Sequence, residues 1–260
     1  MEKIALWNNP PVTPDNFEPY LELSLLEDGQ PHGAVIVCPG GGYTNRASHE
    51  GTPIAERFNR EGFHTFVLQY RVSPNRFPAP QQDVAQAVRI VRSKAAEWNV
   101  KSDKIAVLGF SAGGHLTASI GVYFDSEYVK TDDPLGSVSC RPDAIIPCYP
   151  VITSDPTYAH LGSVKNLFGE DYTAEQAEIF ALEKHVTQNT PTTFLWHTAE
   201  DVGVPVKNSL RFAEALNEKK VPVELHVFPE GAHGLGLRTI VPHVTIWPEL
   251  AARWLRKMGW

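Results

Sequence analysis

Cysteine is scarce, with only Cys38, Cys140 and Cys148 in 260 residues. An odd, sparse set excludes a disulfide framework. Cys38 ends one apolar run and Cys148 sits in another, so both read as buried free thiols. No Cys-x-x-Cys or His-x-x-x-His spacing occurs, and no metal site is expected. Long apolar runs are also missing. No stretch reaches the roughly 18 uninterrupted apolar residues of a bilayer span. Basic charge is in deficit, since 23 Lys and Arg against 30 Asp and Glu leave a formal charge of −7. That sign argues against nucleic acid and against anionic membranes as partners. The start, Met1-Glu2-Lys3-Ile4-Ala5-Leu6-Trp7, has neither the basic head nor the apolar run of about 7–15 residues that a signal peptide needs. A cytoplasmic location is the expectation.

What is present is a core. Hydrophobic residues make up 42% of the chain and charged residues 20%, which fits a globular protein rather than a disordered one. Short apolar runs alternate with helical patterns. The strand candidates are 20–25, 34–38, 63–70, 104–108, 143–148, 192–197 and 223–228. Runs such as Ala34-Val35-Ile36-Val37-Cys38 are apolar throughout, as parallel strands buried on both faces are. The first candidate alternates (Leu21, Leu23, Leu25) and reads as an antiparallel edge. Between them, Val84, Ala87, Val88, Val91, Ala95 and Trp98 form one apolar helical face, and Val206, Leu210, Ala213 and Leu216 another. Helices are also predicted over 54–60, 112–123 and 247–258. The alternation predicts one α/β domain over 1–260, with a mostly parallel sheet of seven to eight strands and helices on both faces. Residues 150–191 break the rhythm, with one short helix near 174–182. So long an excursion after a strand reads as a small cap over the carboxyl end of the sheet, or else as a surface loop.

The strongest chemical signal is Gly109-Phe110-Ser111-Ala112-Gly113-Gly114. Its Gly-x-Ser-x-Gly spacing suits a nucleophilic serine in a strained strand-to-helix turn, where flanking glycines let the two elements approach. A strand before it and a helix after it are the context the motif demands. A plain turn carrying an ordinary serine is the competing reading. Upstream, Pro39-Gly40-Gly41-Gly42-Tyr43 directly follows a predicted strand. Exposed N–H groups of Gly41 and Gly42, with that of Ala112, are the candidates for an oxyanion hole. A phosphate-binding loop fails because no Lys-Ser/Thr follows, and Gly-x-Gly-x-x-Gly is absent. A serine nucleophile needs a base and an orienting acid, in the chain order Ser, acid, His. Asp201 follows one predicted strand and His233 the next, both at the carboxyl edge. Glu200 is the rival acid. His226 lies within a strand, His243 opens a helix, and His197 precedes the acid loop and is expected to pack locally.

These residues resemble the α/β-hydrolase superfamily, and within it the bacterial acetyl-esterase group related to hormone-sensitive-lipase-type esterases. Tyr70-Arg71-Val72, Phe77-Pro78-Ala79-Pro80, Cys148-Tyr149-Pro150-Val151 and Leu167-Phe168-Gly169 extend the likeness over most of the chain from Ala34 onward. The resemblance implies a serine carboxylesterase with the catalytic set Ser111, Asp201 and His233, no cofactor, and a small-molecule ester as substrate. It favours short acyl groups, chiefly acetyl, on a sugar or xylo-oligosaccharide. Amide hydrolysis, as by an aryl-formamidase or small peptidase, is the alternative on the same fold. A non-catalytic hydrolase-like binding module is the alternative of another class. One departure stands out: many relatives have His before the glycines, whereas this chain has Pro39, so the hydrogen bonds with which that His braces the loop are lost. Asp83 resembles a helix-start carboxylate of the group, with a stabilising role. Tyr43 either lines the site or packs beneath it. The sequence leaves oligomeric state open. A homodimer through surface strands or the C-terminal Trp247, Trp254 and Trp260 is one option, and core packing accounts equally for the first two.

Overall fold

Apolar runs become buried strands where both faces find a helix to cover them. In the computed structural model, which describes residues 2–238 and 240–260, the chain forms strands β1 (Glu2–Ala5), β2 (Tyr20–Ser24), β3 (His32–Cys38), β4 (His64–Gln69), β5 (Val100–Phe110), β6 (Ala144–Cys148), β7 (Thr192–Thr198) and β8 (Val223–Phe228), of which all but β1 arise from the predicted runs. They make one sheet in the order β1-β2-β4-β3-β5-β6-β7-β8. From β4 to β8 every pairing is parallel, and β2 runs antiparallel to both β1 and β4. This is the α/β-hydrolase fold expected from the sequence.

Period-two alternation sends neighbouring residues of one strand to opposite layers. On β3, Ala34 and Ile36 pack with α2 (Ala79–Ser93) and α3 (Ala112–Tyr123) through Val84, Val88, Leu116 and Ile120. Val35 and Val37 pack on the other face with α1 (Thr52–Arg60) and α7 (Trp247–Lys257) through Ile54, Phe58, Trp247 and Leu255. A third cluster joins α6 (Lys207–Glu218) to the sheet through Phe212, Leu216, Ile145 and Leu195. The segment 150–191 contributes α4 (Leu161–Phe168) and α5 (Ala174–Phe180) between β6 and β7. All three cysteines are free and buried. Among the described residues, no helix is long and apolar enough to cross a membrane.

Two expectations need correction. The strand at Tyr20–Ser24 is antiparallel but not the edge, because β1 pairs outside it. β1 has only four residues and buries little of its surface, so it carries no apolar pattern to read. The inward face of α6 is Asn208, Ser209, Phe212 and Leu216, whereas Leu210 is exposed. Buried polar partners for Asn208 and Ser209 rotate that face. The C-terminal tryptophans are spent inward: Trp247 and Trp254 lie in the core, and Trp260 is half-buried and packed against it.

The loops that follow β3, β5, β7 and β8 all leave the carboxyl edge of the sheet. They hold Gly40–Gly42, Ser111, Asp201 and His233 in turn. β3 lies between β4 and β5, so successive connections depart to opposite sides of it. Such a switch point opens a crevice at the carboxyl edge.

Candidate active site

Ser111 lies between the last residue of β5 and the first of α3, at φ 53° and ψ −118°. A non-glycine residue with positive φ is strained. The surrounding chain holds it there. Its N–H donates to the Cys148 carbonyl at 3.1 Å, and its own carbonyl accepts from the N–H groups of His115 at 3.0 Å and Val151 at 3.1 Å. A Cβ on Gly113 would sit 2.2 Å from the Cys38 carbonyl oxygen, so glycine is what lets α3 start against the end of β3.

The three residues singled out from separate loops meet here. His233 Nε2 is 2.8 Å from Ser111 Oγ, and His233 Nδ1 is 2.6 Å from Asp201 Oδ2. A carboxylate only accepts, so Nδ1 carries the proton and Nε2 is free to accept from the serine hydroxyl. Asp201 is 4% exposed, and its Oδ1 accepts the N–H groups of Gly203 at 3.0 Å and Val204 at 2.8 Å. Burial alone pushes this carboxyl up. Hydrogen bonds from His197 and His233, the charge of His233 and the Val204 N–H outweigh it and hold the group well below the usual carboxylate range.

The rivals fall elsewhere. Glu200 is exposed and, among the described residues, accepts only the Gly231 N–H, at 3.3 Å. His226, on β8, lies 2.8 Å from Glu224 Oε1. His243 sits in a short 3-10 turn beside Phe228. His197 is fully buried under Asp201. Its Nε2 donates to the Val204 carbonyl at 2.8 Å and lies 3.3 Å from Asp201 Oδ2, while Nδ1 is 2.8 Å from Ser209 Oγ. It packs and bonds locally, as expected, and its local partner is the acid itself.

The glycine loop turns across this group. Gly41 and Gly42 have φ of 125° and 63°. The Gly41 carbonyl accepts from the N–H groups of Thr44 and Asn45 at 3.0 and 3.3 Å, and that of Gly42 accepts from Asn166 Nδ2 at 2.8 Å. Neither Gly41 nor Gly42 donates its N–H to another described residue. The N–H of Ala112 opens α3, where first-turn donors have no intrahelical partner.

Tyr43 is the exception among the residues singled out. It is fully buried, with its hydroxyl 2.8 Å from His115 Nδ1, so it braces the loop from beneath and does not line an open site. A large ring with one satisfied hydroxyl explains the placement. His115 in turn donates from Nε2 to the Phe180 carbonyl at 3.0 Å and stacks on the Phe180 ring at 4.0 Å. Glycine loop, elbow helix and the 150–191 segment are thereby bolted together.

Three neighbours carry no role legible in the sequence, although Tyr149 lies in one of the stretches that extend the likeness. His160 caps α4: its Nδ1 accepts the Ser163 N–H at 3.2 Å, which leaves the proton on Nε2. A Cβ on Gly42 would lie 3.9 Å from His160 Cε1, so the ring edge faces the glycine loop. Burial, and then the nearness of His233, push His160 down from the ordinary histidine value. Glu50 and Tyr149, both buried, join the glycine loop to the histidine loop. A separate open groove of about 600 Å³, lined in part by Thr153, Tyr158, Glu183 and Arg211, touches none of Ser111, Asp201 and His233.

A family model described as BD-FAE matches residues 24–216. Endo-1,4-beta-xylanase B of Butyrivibrio fibrisolvens is 43% identical over 224 residues, covering 84% of this chain and 35% of that protein. An acetylxylan esterase of Xylanibacter ruminicola is 32% identical over 236 residues, covering 84% of this chain and 46% of that protein. This chain thus spans less than half the length of either relative. The crystal structure of an acetyl ester-xyloside bifunctional hydrolase from Caldicellulosiruptor lactoaceticus superposes with a TM-score of 0.93 at 45% identity, covering 99% of this chain and 96% of that one.

Proposed function

We propose, because the chain belongs to the BD-FAE family of the α/β-hydrolase superfamily, that it is a serine carboxylesterase acting on short-chain esters, chiefly acetyl esters of sugars or xylo-oligosaccharides. The observation that carries this reading is the unbroken hydrogen-bond chain from Ser111 Oγ through His233 to Asp201. The acetyl and sugar preferences draw support from the acetylxylan esterase and the acetyl ester-xyloside hydrolase among its relatives.

In this reading Ser111 Oγ attacks the ester carbonyl carbon as its proton passes to His233 Nε2. Asp201 keeps the proton of Nδ1 in place and stabilises the imidazolium. The carbonyl oxygen, now negative, is met by the N–H of Ala112 and those of Gly41 or Gly42. Collapse breaks the bond to the leaving oxygen, which takes the proton from His233 and departs as the alcohol. Water, losing a proton to His233, then attacks the acyl-serine and frees the acid. Segment 150–191 serves as the cap, with His160 and Asn166 set against the glycine loop.

The test is hydrolysis of 4-nitrophenyl acetate, butyrate and octanoate and of an acetylated xylo-oligosaccharide, by the wild type and Ser111→Ala. Rates that fall with acyl length, extend to the sugar ester and vanish in the variant are expected. Serine-dependent turnover of aryl esters or amides with none of the sugar ester would refute the sugar-ester substrate. No serine-dependent turnover of any substrate would refute the enzyme.

A further inference from the structure

The glycine loop is braced from beneath by a buried carboxylate. Glu50, in a short 3-10 turn over Ser48–Glu50, is 2% exposed. Its Oε2 accepts the Gly40 N–H at 2.9 Å, the residue just before the two candidate oxyanion donors. Its Oε1 accepts the Tyr149 hydroxyl at 2.6 Å, within the range of charge-assisted O–H···O bonds. Burial, then the charge of Glu50, push the Tyr149 hydroxyl well above its ordinary value, so it stays a donor.

The link continues into the histidine loop. The same Tyr149 oxygen accepts the Gly236 N–H at 2.9 Å, three residues beyond His233, and the ring of Tyr149 meets that of His233 edge-on at 5.2 Å. The Gly236 carbonyl is held by Trp247 Nε1 at 2.9 Å, and His49, beside Glu50, donates from Nε2 to the Gly234 carbonyl at 3.0 Å.

We propose that Glu50 is a positioning residue that, through Tyr149, couples the oxyanion loop to the loop carrying the base, so that donors and base are held in one fixed relation to Ser111. The inference rests on the esterase reading above. A glutamine has one acceptor oxygen where the carboxylate has two, so in Glu50→Gln either Gly40 or Tyr149 faces an NH₂ group. The substrate's contacts are untouched, so the loss falls on the transition state.

The experiment is steady-state hydrolysis of 4-nitrophenyl acetate by wild type, Glu50→Gln, Tyr149→Phe and the double variant, with the rate of Ser111 phosphonylation by a fluorophosphonate measured alongside. The phosphoryl oxygen of that probe lands among the same donors. Glu50→Gln should lose about ten- to a hundredfold in kcat, less than removal of a whole oxyanion donor, with KM within about threefold. Phosphonylation should slow by the same factor. Tyr149→Phe should show the same split, and the double variant should be no worse than the weaker single one, as expected for residues acting as a unit. A merely structural Glu50 would lower the melting temperature and leave kcat of the folded enzyme unchanged. That result, or losses that multiply in the double variant, would overturn the inference. Should Glu50→Gln fail to fold, an unchanged kcat in Tyr149→Phe would overturn it alone. An inactive wild type would instead refute the esterase reading, and this inference with it.

Discussion

Acidifying the protein from about pH 7 to pH 4 should cost stability at one identifiable histidine. His115 lies 1% exposed between the glycine loop and the 150–191 segment, its Nδ1 on the Tyr43 hydroxyl and its Nε2 on the Phe180 carbonyl. Both bonds are made by the neutral ring. A proton added to Nδ1 would point at a hydroxyl that now donates to it, in a place without a counter-charge. Burial therefore pushes His115 from 6.5 down to about 4. The folded state holds this ring neutral while the unfolded chain protonates it, so the unfolded state binds more protons between the two values. The contribution is complete above pH 6.5 and is lost as pH falls towards 4. At 1.36 kcal/mol per tenfold, the loss by pH 4 is about 3 kcal/mol. Urea unfolding at pH 7 and pH 4 measures it, with His115→Gln as the control. Glutamine can accept from Tyr43 and donate to Phe180, yet does not titrate. Other carboxylates and histidines contribute equally to both proteins, so the difference between their acid losses isolates His115. Equal losses, within about 0.5 kcal/mol, would refute the assignment of a buried neutral ring.

Three further outcomes follow from the site and its supports. Asp201→Asn presents an amide to His233 Nδ1 and favours the tautomer whose Nε2 cannot take the Ser111 proton, so kcat should fall on the order of 10⁴ with the fold intact, checked by steady-state kinetics and circular dichroism. Gly41→Ala places a methyl group 2.2 Å from Asn45 Oδ1 at a residue whose φ is 125°. The loop must move, so kcat should fall by about 10²–10³, and the backbone strain should lower the melting temperature as well. Asp83→Ala strips the partner from Arg71, whose Nε and Nη2 both reach a carboxylate that is 0% exposed, so unfolding free energy should drop by about 3–5 kcal/mol in urea titrations, with kcat of the folded enzyme preserved.

The sheet was legible because burial on two faces leaves little freedom: Ala34–Cys38 of β3, Ile105–Leu108 of β5, β6 and Phe194–Trp196 of β7 have to be apolar, and they read so. α3 was legible to the residue because a strand, a strained serine and small residues leave it one place to start. Where the interior is polar the pattern fails. Asn208 faces inward because its side chain accepts the N–H groups of Ile152 and Thr153 at 2.9 and 3.2 Å and donates to two carbonyls, which no hydropathy period encodes. The fully buried Ser209 follows the same logic, paired with His197.

The same distinction explains what could be read of the site. Ser111, Asp201 and His233 could be singled out because chemistry constrains their order and the fold constrains the strand each must follow. Asp201 could be preferred to Glu200 on direction alone, and the geometry supplies the reason: two N–H groups of the next turn close on Asp201 Oδ1, a fit the longer exposed neighbour does not make. Glu50, Tyr149 and His160 answer to no such order. Glu50 meets Tyr149 across 99 positions and Gly40 across 10, and its task is set by where a loop must be held. A support of this kind needs only an acceptor within reach of the Gly40 N–H, and no spacing or hydropathy period encodes which residue supplies it. Gly40 is legible as part of a glycine loop, and the residue that holds its N–H is not.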